Sequence, residues 1–322
     1  MKKIFQVLTG LTLSVVAAAS LAAGFPDRSV TVVVPFPAGG TTDVLARQLG
    51  KGLSDKWGVP VVIDNKSGAS GTIGSAYVAR SKDDGYTLLL TATHHVINPT
   101  LLKDTIAYDT KSSFTSLALV ATVPNVLVVN KNFAPKTVSE LIELAKSKPG
   151  EINFGSAGIG GANHLSGELF AHEAGIKLTH IPYRGAAPSL SDLLAGQIPM
   201  MFDSLPGVMA HIESGQLRAL GVTTSSRVAQ LPNVPTIAEE GLKGFEATAW
   251  FGLYGPKGMS ADVITKISKD VDQVLASDEL KKSFASLGAT PGQMTQLEFA
   301  KFVDAEIAKW GNVIEAANIS VK

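Results

Sequence analysis

Apolar positions along the first hundred residues fall into short unbroken runs separated by helix-spaced stripes. Val30 to Val34 is a continuous β-branched run, the pattern of a strand buried on both faces. Leu45, Leu49, Leu53 and Trp57 follow four apart and make one apolar helix stripe. Val59 to Ile63 predicts a second strand, Ser75 to Arg80 a short helix, and Tyr86 to Leu90 a third strand. This β-α-β-α-β order predicts a doubly wound sheet, in which ligands sit beyond the carboxyl ends of the strands.

The pattern then changes. Leu117 to Val123 and Val126 to Val129 are two apolar runs split by Pro124-Asn125, read as a crossing from one lobe to another. A second series follows. Thr137 and Glu140 form a capping box for a helix through Lys146. Strands are expected at Glu151 to Phe154, Leu178 to Pro182, Pro199 to Phe202 and Leu217 to Val222, with helices from Gly160, over Ser189 to Ala195 and over Val208 to Ser214. The apolar run Ala247 to Tyr254 is expected to return beside Leu117 to Val123. Ser260 then caps a helix bearing Ile264, Ile267, Val271 and Val274, and Thr295 with Glu298 caps a last helix through Ile314. The expectation is an α/β chain of two lobes, 23–123 with 249–322 and 124–248, with two crossings as a hinge and the cleft as the binding site.

Two glycine-rich turns look like a matched pair. Each follows a strand and opens a helix: Phe36-Pro37-Ala38-Gly39-Gly40-Thr41-Thr42-Asp43, and Gly155-Ser156-Ala157-Gly158-Ile159-Gly160-Gly161-Ala162-Asn163-His164. A helix N-terminus offers unpaired N–H groups and a partial positive charge, and glycine lets a ligand approach them. Two such termini in two lobes suit an anion such as a carboxylate. The candidate ligand residues of the first turn are Phe36, Ala38, Gly39, Gly40, Thr41 and Thr42; Asp43 reads instead as an acid that complements the dipole. Those of the second are Ser156, Gly158, Gly160, Gly161, Asn163 and His164, the last two able either to donate to a ligand or to cap the helix. Thr93 and His94 follow the third strand, where contacts occur in such folds. Asp203 ends a strand in the cleft; it can accept from a ligand hydroxyl, amine or bridging water, or fix a loop as an Asx turn.

The N-terminus has the form of a secretory leader. Lys2 and Lys3 precede an apolar stretch from Ile4 to Ala19, and Ser20-Leu21-Ala22 is a small-x-small cleavage site, placing the cut near Ala22-Ala23. Residues 1–22 are therefore expected to be removed, leaving a soluble, exported, monomeric protein. There is no cysteine, which excludes a lipoprotein anchor, disulfides and thiolate metal sites. Basic and acidic residues are equal at 28 each, and two of the lysines lie in the leader, so the mature chain is slightly acidic. That balance offers no footprint for nucleic acid.

Enzyme motifs are poor. Ser156 lies in Gly-Ser-Ala-Gly, not Gly-x-Ser-x-Gly. No P-loop or dinucleotide fingerprint appears. His94 and His95 are adjacent and His164, His172 and His180 eight apart, from which no metal-ligating cluster is expected. No catalytic residue and no cofactor is assigned. An exported hydrolase using Ser156, His164 and Asp203 is the enzyme alternative.

The chain resembles the substrate-binding proteins of tripartite tricarboxylate transporters, or Bug proteins. The resemblance runs through Pro35 to Asp43, Asp64 to Gly71, Asp84 to Leu88, Phe154 to Gly158, Pro182-Tyr183-Arg184-Gly185, Gly196-Gln197-Ile198 and Pro232 to Thr236, and covers essentially the whole mature chain. It departs at Ser67 and Ser70, where proline and glycine are more usual. The resemblance implies a two-lobed, type II-like periplasmic binding protein fold, with two doubly wound sheets on a two-strand hinge. It implies closure on a small organic acid whose carboxylate is held by main-chain groups and ordered waters in the two turns. It also implies delivery to an inner-membrane permease of two subunits; docking of the liganded form on a sensor kinase is the alternative.

Overall fold

The computed structural model describes residues 24–183, 185–316 and 319–320; the leader segment and Arg184 lie outside the described residues. The chain runs β1 (Val30–Val34), α1 (Thr41–Trp57), β2 (Val61–Asn65), a 3-10 turn (Ala69–Gly71), α2 (Thr72–Ala79), β3 (Thr87–Ala92), α3 (His94–Leu101), β4 (Phe114–Val123) and β5 (Asn125–Asn130). It continues through α4 (Val138–Ser147), β6 (Asn153–Ser156), α5 (Ala162–Ala174), β7 (Thr179–Pro182), α6 (Ala186–Ala195), β8 (Met200–Ser204), α7 (Leu205–Glu213) and β9 (Leu217–Val222). The last part is β10 (Ala249–Pro256), α8 (Ala261–Leu275), α9 (Asp278–Ser286), β11 (Thr290–Pro291) and α10 (Gln296–Ala316).

Two sheets form. The first has the order β11-β4-β10-β3-β1-β2, the second β7-β6-β8-β5-β9. Both are mixed rather than wholly parallel. β1 pairs in parallel with β2 and β3, and β6 with β7 and β8, as the β-α-β pattern requires. The crossing strands run the other way: β10 is antiparallel to β3 and β4, and β5 to β8 and β9. A strand that has to leave one sheet for the other cannot keep the direction set by the crossover helices. β4 passes into β5 at Pro124, and Ala249 pairs with Val123, so the outward and return crossings lie side by side.

The cores follow the sequence stripes. Leu45, Leu49 and Leu53 of α1 are buried against Val30, Val32 and Leu88 of the first sheet. Val126, Val128, Met201 and Val222 anchor one face of the second, under Leu193 and Val208. Beside the crossing, Glu306 of α10 is buried and its Oε2 accepts from Trp250 Nε1 at 2.8 Å and Trp310 Nε1 at 2.9 Å, fixing the start of β10 to the last helix. No helix among the described residues is long and apolar enough to cross a membrane.

Candidate functional site

The two glycine turns are built alike to within about ten degrees. Gly39 has φ 83° and Gly160 φ 80°, a left-handed conformation that glycine adopts without strain. The next glycine caps the helix in extended geometry, Gly40 at φ −77°, ψ 166° and Gly161 at φ −86°, ψ 164°. Neither cap has a side-chain hydrogen bond to the helix. In each turn the amide of the first glycine donates to a side chain four residues on. Gly39 N gives its proton to Asp43 Oδ2 at 2.9 Å, and Gly160 N to His164 Nδ1 at 3.2 Å. The shared pattern is Gly-Gly-x-x-acceptor, and it leaves the first amides of α1 and α5 open to an anion.

The acceptors have different surroundings. Asp43 is buried and takes further bonds from Arg47 Nε at 3.0 Å and Asn65 Nδ2 at 3.0 Å. Burial penalises its charge, but the Arg47, Gly39 and Asn65 donors outweigh that and hold its pKa below the ordinary value. Asn65 Nδ2 also reaches Phe36 O at 3.1 Å, so the cage around Asp43 fixes the whole turn. Asp43 is thus a scaffold, as its place in the first helical turn suggests. His164 packs in a stack with His180, ring centroids 3.9 Å apart, and faces Glu168 Oε1 across 3.5 Å.

That stack corrects the expectation of scattered histidines. Phe154 pairs with His180 across β6 and β7, and α5 lies over that pair. His164, Glu168 and His180 can each offer a ligating atom within 4.8 Å of the others. Spacing of eight in sequence says nothing about strands paired in parallel.

Other candidates are committed within the fold. Ser156 is buried; its Oγ meets His180 Nε2 at 2.6 Å, accepts from Gly158 N at 3.1 Å and donates to Gly158 O at 2.9 Å. Asn163 Nδ2 donates to Asp203 Oδ1 at 2.8 Å and to Phe202 O at 3.1 Å, which spends both of its protons. Thr93 is fully buried and its Oγ1 holds the backbone of Trp250 through N and O, at 3.3 and 3.4 Å. Asp203 is buried with Asn163 and Ser204 N on the same oxygen, and desolvation outweighs those donors and raises its pKa to about 6.

His94 joins the two turns. Its ring lies 4.9 Å from Phe36 of the first, and its Nε2 stands 3.1 Å from where a Cβ on Gly161 of the second would be. Its Nδ1 is buried without a partner, and desolvation lowers its pKa to about 4. Ala38, Gly39 and Gly40 are exposed, Thr41 is half-buried and Thr42 buried. A separate hollow bounded by Asp272, Leu275, Lys281, Gly292 and Met294 shares no residue with these turns.

Residues 45–319 match the family model described as the tripartite tricarboxylate transporter family receptor, TctC. The chain belongs to the TctC receptor family. Its curated relatives include the protein BugT of Bordetella pertussis, 37% identical over 308 residues, with 95% of this chain and 94% of that one covered. Among solved structures, this TctC receptor is 39% identical to R. palustris Rpa4515 with adipate, at a TM-score of 0.84, covering 92% of this chain and 99% of that one. MatC (Rpa3494) from Rhodopseudomonas palustris with bound malate is 32% identical, at a TM-score of 0.80, covering 90% and 100%. TctC proteins are receptors and not enzymes, which removes the hydrolase alternative. Sequence reading gave no role in the site to Arg47, Asn65, Glu168 or His180, which support the two turns. The signal was there in Gly-Gly-Thr-Thr-Asp and Gly-Gly-Ala-Asn-His, masked because aspartate and histidine look unlike while both accept a hydrogen bond.

Proposed function

We propose that this TctC receptor captures a small organic carboxylate in the cleft between its two sheets, in the periplasm, and delivers it to an inner-membrane permease of two subunits. The observation that carries the reading is the pair of uncapped helix termini at Gly40 and Gly161, whose free amides suit one carboxylate approached from both lobes. The adipate and malate in two similar structures support the ligand class. The lobes are 23–123 with 249–322 and 124–248, and the leader is cleaved near Ala22-Ala23. Ala38 to Thr42 and Ser156 to Gly161 line the anion site, Phe36 and His94 wall it, and Asn163 with Asp203 backs the second turn.

A thermal-shift screen of dicarboxylic, hydroxy and amino acids tests this. An acid at 100 times its Kd adds roughly 2.7 kcal/mol to stability. Calorimetry should then show the acid binding at least ~10-fold more tightly than its methyl ester, a difference of about 1.4 kcal/mol. Equal affinity for acid and ester would rule the clamp out. Uptake of that acid by cells with and without the permease genes tests delivery.

A further inference from the structure

Ser70 occupies a conformation that glycine would hold more easily. Its φ is 54° and ψ 33°, and Ala69 before it has φ 46°, two successive left-handed residues bearing a Cβ. The turn is pinned to α3, because Asn98, itself buried, donates through Nδ2 to Ser70 O at 3.0 Å. The Ser70 hydroxyl points the other way. Its Oγ reaches the carbonyl of Ile159 at 3.5 Å, inside the second glycine turn and in the other lobe. Next to that contact, a Cβ on Gly160 would meet Leu101 Cδ2 of α3 at 2.8 Å, so the two surfaces are already closely apposed. Among the described residues, the other side-chain hydrogen bond between the lobes runs from Lys309 to Glu246 O, beside the crossing rather than across the cleft.

We propose that Ser70 is a positioning residue for ligand capture: its hydroxyl latches the second glycine turn to the first lobe and biases the receptor toward its closed form. The backbone strain is the cost of aiming that hydroxyl across the cleft. This inference rests on the cleft reading above, so one arm of its test needs no ligand. The chain has no cysteine, so cysteines introduced at exposed Lys82 and Lys148, one in each lobe, give two unique spin-label sites. Pulsed electron double resonance on the ligand-free protein should show a short-distance, closed population. Ser70→Ala and Ser70→Gly should each reduce that population at least twofold, while Ser67→Ala, on the same exposed loop, leaves it unchanged. Ser70→Gly should also melt at a higher temperature than Ser70→Ala, because it relieves the left-handed strain. With adipate and malate as probes, both Ser70 variants should release the bound acid faster with little change in association rate. Unchanged distances in both variants would overturn the latch. So would opening in Ser70→Gly alone, which would assign the effect to backbone freedom rather than to the hydroxyl. Failure of both probes to bind wild type would count against the carboxylate reading and leave the ligand-free comparison to decide the latch.

Discussion

Asp203 and His95 are both buried titratable residues, and they push stability in opposite directions with pH. The folded pKa of Asp203 is raised from 3.8 to about 6, so folding favours its protonated form. Its contribution is present at low pH and lost as pH rises through 6, by about 1.4 kcal/mol per unit across that window. Asp203→Asn keeps an acceptor for Asn163 and Ser204 but cannot ionise. Urea unfolding from pH 4 to 7 should show wild type losing stability relative to Asp203→Asn as pH rises; parallel curves would contradict this. His95 does the reverse. It is 1% exposed among Tyr108, Phe114 and Tyr254, neither ring nitrogen has a partner, and burial lowers its pKa from 6.5 to about 3. Its stabilising neutral form is fully present above pH 6.5 and lost as pH falls toward 3. His95→Phe should be close to neutral in stability at pH 7, where two unpaired nitrogens are removed, and should unfold at a lower pH than wild type. Acid titration by circular dichroism measures it.

At the scale of single elements, the glycine turns separate binding from folding. A Cβ on Gly40 would meet only Pro37 O, at 3.6 Å, and its φ of −77° suits any residue. Gly40→Val should therefore keep its far-ultraviolet spectrum and melting point while binding at least ~10-fold more weakly, since the branched side chain fills the approach to the amides. Gly160 differs: φ is +80° and a Cβ would lie 2.8 Å from Leu101. Gly160→Val should lower the melting temperature as well as the affinity, and the two variants together separate a blocked site from a strained turn. Helix ends were the most legible part of the sequence. The box of Thr295 and Glu298 forms as written, with Glu298 N to Thr295 Oγ1 at 3.3 Å and Thr295 N to Glu298 Oε2 at 2.8 Å. Thr137 and Ser260 cap as expected. The helix α3 was not legible, because Pro99 and a run of histidines, valine and isoleucine have no helical signature of their own. It forms because tertiary packing buries Val96 and Ile97. The His164–His180 stack was invisible for a related reason: it depends on which strands pair, and pairing is a property of the sheet rather than of either segment.

At the scale of the whole molecule, the chain passes between the sheets at Pro124 and again just before Ala249, and the hinge proposed for this receptor lies at those two adjacent crossings. Small-angle scattering should give a smaller radius of gyration with a saturating acid than without, and an unchanged value would refute hinge closure. The clasp of Glu306 on Trp250 and Trp310 ties α10 to the start of β10, beside the return crossing.

The position of β10 also sets an order of assembly. It lies between β4 and β3, inside the first sheet, yet it is contributed by Ala249–Pro256, after the whole second sheet has been strung out. Until those residues arrive, the facing edges of β3 and β4 have no partner, and the first lobe remains a half-built layer however early it was synthesised. The second sheet has no such debt. All five of its strands lie between Asn125 and Val222, and Asn125 Nδ2 reaches Ala247 O at 3.3 Å, drawing the two ends of the segment together. The second sheet thus draws every strand from one continuous segment, whereas the first is complete only once Ala249–Pro256 has been inserted between β3 and β4.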